Sequence, residues 1–78
     1  MARYYFDLQD EGGITLDDEG LELRNLDLIQ DEAARSLADM ARDAVRMNAS
    51  SQNMAIQVRD DTGPVMNVRF FFKIERLN

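Results

Sequence analysis

The stretch LDLIQDEAARSLADMARDAVRM, residues Leu26 to Met47, decides the fold. Ile29, Ala33, Leu37, Met40, Ala41, Ala44 and Met47 recur at spacings of three and four, which places them on one side of an α-helix with Val45 at its margin. Asp27 followed by Gln30 reads as a capping-box variant, in which a side-chain oxygen accepts amides that the first turn leaves unpaired. Asp31 and Glu32 come early and Arg42 and Arg46 late, an order that suits the helix dipole. Asp31 with Arg35 and Asp39 with Arg42 are spaced to meet on adjacent turns of the solvated side. The helix is expected to end near Asn48, before the polar loop Ala49 to Asn53.

On both sides of this segment the period falls to two. Arg3 to Gln9 alternates, with Tyr4, Phe6 and Leu8 on one face and Arg3, Tyr5, Asp7 and Gln9 on the other, which predicts a first strand. Asp10-Glu11-Gly12-Gly13 is a turn. Ile14 to Leu16 and Leu21 to Leu23 alternate weakly around a second turn, Asp17-Asp18-Glu19-Gly20, and at least one of them is expected to be a strand. After the helix, Met54, Ile56 and Val58 alternate with Ala55, Gln57 and Arg59, and Asp60-Asp61-Thr62-Gly63 is the strongest hairpin turn of the chain. The last strand is expected from about Val65 to Ile74, with Met66, Val68, Phe70, Phe72 and Ile74 facing the core and Val65, Asn67, Arg69, Phe71, Lys73 and Glu75 facing away.

The prediction is an α+β fold in β-β-α-β-β order. One amphipathic helix packs on one face of a predominantly antiparallel three- to four-stranded sheet, in a single domain over residues 1–78. The second sheet face is then left open. Met40, Met47, Met54 and Met66 are expected to fill the core.

Composition removes many functions. The 78 residues contain no histidine and no cysteine, so the usual neutral-pH acid/base group, soft metal ligands, thiolate chemistry and disulfides are all missing. Leu, Ile, Val and Phe make up about a quarter of the chain, enough for a core despite the net charge of -6. That charge repels a phosphate backbone on average. The apolar run Phe70 to Phe72 is far shorter than the ~20 residues of a membrane span. The start Met1-Ala2-Arg3-Tyr4 lacks the apolar region of a signal peptide, so a soluble cytoplasmic protein is expected. Acids dominate residues 1–22, whereas Arg69, Lys73 and Arg76 outnumber Glu75 near the C-terminus; this complementarity could guide strand pairing within a chain or between chains.

Arg3-Tyr4-Tyr5-Phe6, then Asp17-Asp18-Glu19-Gly20-Leu21-Glu22-Leu23, then Glu32-Ala33-Ala34 and the late Asp-rich hairpin resemble a family of short alphaproteobacterial proteins, common in rhizobia and catalogued as a domain of unknown function. The resemblance spans nearly the whole chain, and the Asp-Glu-Gly segment is its distinctive element. The family pattern often carries histidine after the aromatic strand start, where this chain has Asp7. A looser likeness is to HicB-type antitoxin domains, whose proline-containing loop is absent here. The resemblance implies a fold and supplies neither catalytic residues nor a ligand.

Four candidate sites follow from the residues. Asp10, Glu11, Asp17, Asp18, Glu19 and Glu22 could gather oxygens for calcium or magnesium, although from Asp17 the EF-hand register puts Glu22 where glycine belongs; solvated turns are the simpler reading. Paired carboxylates on one helix and a small sheet have no deep cleft in which to act, so neither catalysis nor a cofactor is expected. Gly12-Gly13 lacks the spacing and lysine of a phosphate loop. Arg69, Phe71 and Lys73 share one strand face, with Tyr5 on the same sheet face, and exposed aromatics there mark an interaction surface. Three bases on an acidic protein are a poor funnel for nucleic acid. The expectation is therefore a binding or regulatory module, homodimeric or engaged with another protein through Tyr5, Arg69, Phe71 and Lys73. The alternatives are a hard-cation-binding domain and an antitoxin-like partner of a toxin or nucleic acid.

Overall fold

The computed structural model describes residues 2–78. Its elements are β1 (Ala2–Asp10), β2 (Gly13–Thr15), β3 (Leu21–Leu23), α1 (Leu26–Arg46), β4 (Ser51–Asp60) and β5 (Gly63–Lys73). The architecture is α+β, with one helix on an antiparallel sheet of five strands rather than three or four, because both short segments flanking Asp17-Gly20 pair with β1. The order is β2-β1-β4-β5, and β3 shares the β2 edge of β1. The acidic N-terminal strand and the basic C-terminal strand are therefore not neighbours: β4 lies between them.

The helix begins two residues earlier than its capping box suggests. Asn25 is the N-cap, its Oδ1 accepting the Leu28 amide at 2.9 Å, and Asp27 falls inside the first turn, where its charge suits the dipole. At the other end Asn48 takes φ 65°, the Asn48 amide donates to the Val45 carbonyl and the Ala49 amide to the Ala44 carbonyl. This Schellman arrangement satisfies carbonyls that the helix leaves unpaired. Of the two expected surface pairs, Asp39–Arg42 closes to 3.9 Å; among the described residues Asp31–Arg35 does not form.

Ile29, Ala33, Leu37 and Ala41 bury the predicted stripe against Met54, Ile56 and Val58. Tyr4, Phe6, Leu23, Met40, Ala44, Met66 and Val68 border this core. The helix lies over β4 and β5, which leaves the periphery less covered than the alternation implies. Phe70 faces the helix side but sits on the outermost strand and stays 38% exposed, its ring tilted against Phe72 with centroids 6.0 Å apart. Ile74 lies beyond the strand and is exposed. Met47 follows the last helical turn and is 82% exposed, so of the four methionines expected to fill the core only Met54 is buried.

The β4–β5 hairpin closes through Asp61 and Thr62, with Asp60 Oδ1 accepting both the Thr62 amide and hydroxyl and Gly63 at φ 131°. Opposite Val58 and Arg59 the register slips by one residue at Val65, a bulge next to Pro64.

Candidate functional site

The sheet face away from the helix holds two different surfaces. Along β4 its side chains are Asn53, Ala55, Gln57 and Arg59; β1 contributes Gln9, Asp7 and Tyr5, and β5 contributes Phe71, Arg69 and Asn67, each opposite a β4 partner.

At the Tyr5 end this face is closed by a polar network. Asp7 is 4% exposed although it points away from the helix. Arg59 donates through Nε to Asp7 Oδ2 at 2.7 Å, and through a terminal nitrogen to the Asp17 carbonyl at 3.0 Å. The Asp17 amide donates to Asp7 Oδ1 at 2.9 Å. The Arg59 guanidinium also sits 4.6 Å above the Tyr5 ring centroid, a cation–π contact. Its neighbours Asp7 and Tyr5 favour the charged form and raise its pKa.

Asp17 holds the other half of this assembly. β2 and β3 pair with the two ends of β1 and leave the amide of Phe6 between them without a strand partner; Asp17 Oδ2 accepts it at 3.1 Å. Asp17 Oδ1 accepts the amides of Glu19 and Gly20. Burial pushes the Asp17 carboxyl up, but these three amides and the Arg59 charge outweigh it and hold the pKa below the ordinary 3.8. Gly20 is required here: at φ 73° its backbone passes so close to β1 that a Cβ would come within 2.9 Å of the Tyr4 carbonyl oxygen. The Asp-Glu-Gly turn is thus an internal fastening. Among the described residues no three carboxylates converge as cation ligands.

The β5 end of the face is the reverse: exposed and basic. Phe71 is 63% exposed between Arg69 and Lys73. Gln9 and Arg69 flank the buried Ala55, which floors a shallow depression of about 220 Å³ reaching Asp10 and Glu11. That is below the ~300 Å³ at which small-molecule sites usually begin. A second, Met-lined groove of about 340 Å³ separates the C-terminal half of α1 from Leu8 and Met54.

Of the four residues expected to form one surface, the structure brings three together. Arg69, Phe71 and Lys73 face Ala55, Asn53 and Ser51, whereas Tyr5 faces Arg59. Tyr5 is on the same face but at the other end, roughly 20 Å away at about 3.3 Å per residue along β4. Its ring serves the Arg59 network instead. Sequence reading gave Asp7 and Arg59 no role; the available signal was a carboxylate in the middle of the well-patterned β1 and a cation closing the alternating run of β4.

No helix of the described residues is long and apolar enough to cross a membrane. Neither a curated protein nor a solved structure matches the chain. The model of a domain of unknown function, DUF6894, matches residues 3–74, which include all the strands except the first residue of β1, the whole helix and both surfaces of the sheet face; the chain belongs to that family.

Proposed function

We propose that this domain is a small soluble, cytoplasmic binding or regulatory module that works by protein–protein contact, not catalysis, at the β5 end of the open sheet face. The observation that carries the reading is Phe71, which stands 63% exposed between Arg69 and Lys73 on the sheet face opposite to the one its neighbours Phe70 and Phe72 take. Leaving a phenylalanine in water forgoes roughly 1.5–3 kcal/mol of burial, which a second copy of the chain or another protein would recover. The flanking cations would set orientation more than affinity.

The test compares wild type with Phe71→Asp by light scattering and by affinity capture from the native cell. The expected result is a dimer or a specific co-purifying protein for wild type, and a folded variant that has lost it. A wild-type monomer without any Phe71-dependent partner would remove the reading.

A further inference from the structure

Among the described residues no strand pairs with the outer edge of β5, and its hydrogen-bonding phase identifies which residues point to that edge. Ile74 donates its amide to the Ser50 carbonyl at 2.7 Å, while Lys73 lies directly opposite Ser51. In an antiparallel ladder, bonded and non-bonded pairs alternate. Lys73, Phe71 and Arg69 therefore occupy non-bonded positions against β4 and turn their amides and carbonyls outward. These are the same residues whose side chains stand on the open face. One short run thus presents unpaired main-chain donors and acceptors together with a base, an aromatic ring and a second base.

We propose that β5 is a strand-addition edge for an extended acidic segment of another protein. The proposal rests on the reading of the β5 end as the binding surface and specifies its partner. Main-chain bonds to an added strand would supply affinity, and alternate side chains would supply selectivity. The matching segment carries a carboxylate opposite Arg69, an apolar residue opposite Phe71 and a carboxylate opposite Lys73.

Two observations favour this occupant over a second copy. Gly63–Lys73 contains two cations and no carboxylate, so pairing β5 with β5 gathers four like charges along one ladder between bodies of net charge -6. Basic residues of this kind commonly protect an edge from self-pairing, and here they also select an acidic strand. Among the described residues Arg69 forms no ion pair, and Lys73 has only Glu75 at 3.5 Å, with both side chains more than half exposed and open to exchange. The other edge of the sheet is broken into β2 and β3, with the Asp17 carboxylate filling the gap between them. It offers no comparable ladder.

The experiment titrates the full ¹⁵N-labelled chain with a short synthetic peptide carrying Glu, Val and Glu at alternate positions and blocked at both termini. Saturable shifts and slowed hydrogen exchange are expected at the amides of Arg69, Phe71 and Lys73. Replacing both glutamates with lysine should weaken binding by about tenfold or more, because opposite-charge cross-strand pairs become like-charge ones. N-methylation of the alternate residues that face β5 should abolish binding, and N-methylation of the others should not. Failure of the acidic peptide to shift these amides at millimolar concentration overturns the proposal. Binding that depends on Phe71 but ignores the N-methylation phase overturns strand addition and leaves the surface reading standing. A dimer in which the same three amides are already protected assigns the edge to a second copy, which also overturns the acidic-segment proposal.

Discussion

Replacing Asp7 by alanine tests whether the polar closure of the sheet face is a structural fastening. The Asp7 side chain is 5% exposed and uses both oxygens, one for the Arg59 guanidinium and one for the Asp17 amide. Losing a charge-assisted hydrogen bond costs about 1.5–3 kcal/mol, and a buried amide left without an acceptor costs about 1–3 kcal/mol. Arg59 is about one-third exposed and can turn to water, which offsets part of the first loss, so roughly 2–4 kcal/mol is expected for Asp7→Ala. A 78-residue domain at ~0.05–0.15 kcal/mol per residue has a total of about 4–12 kcal/mol, so the variant should lose a large fraction of it. Urea unfolding followed by circular dichroism would measure the change, with the exposed Asp18→Ala as the control, expected to stay within about 0.5 kcal/mol. Hydrogen exchange adds a local readout: the Asp17, Glu19 and Gly20 amides should exchange faster in the Asp7 variant, because the segment that Asp17 anchors is released. Equal, small losses in the two variants would refute the reasoning and reduce the network to a surface ion pair.

Gly20→Ala should destabilise by about 1–3 kcal/mol in the same urea assay, since a Cβ at φ 73° would press on the Tyr4 carbonyl; a neutral result would mean that the turn relaxes freely. The Asp17 carboxyl has a folded-state pKa below its unfolded value near 3.8, so its contribution is fully present above that value and is lost as pH falls through the folded one. Asp60, held down by the Thr62 hydroxyl and amide, titrates in the same direction. The urea midpoint should therefore drop as pH falls below about 4, and Asp17→Asn should be weaker at neutral pH with a shallower acid fall; an unchanged slope would exclude Asp17 as a source. Leu37→Ala, at the centre of the buried stripe, should cost about 2–5 kcal/mol, whereas Asp39→Ala on the solvated side should cost less than about 0.5 kcal/mol; equal losses would contradict the helix phase.

Local patterning was enough to locate the helix, the alternating strands, the hairpin at Asp60 to Gly63 and the exposed Phe71, because each depends on neighbours within a turn of helix or a few residues of strand. Even the true cap was within reach, since Asn25 stands three residues before the Leu28 amide it accepts. What the sequence left open was set by pairing across long separations. Arg59 meets Asp7 across 52 residues and Asp17 across 42, and only the β1–β4 register brings those side chains onto one patch. The same register sends Tyr5 to Arg59 and Phe71 to the far end of β4, separating two aromatics that alternation alone puts on one face. The seating of α1 over β4 and β5 leaves Phe70 partly exposed in spite of its inward phase. A period in sequence specifies the direction in which a side chain points, but burial and partnership depend on what the folded chain sets against that direction, and this is fixed by strand order, register and helix position together.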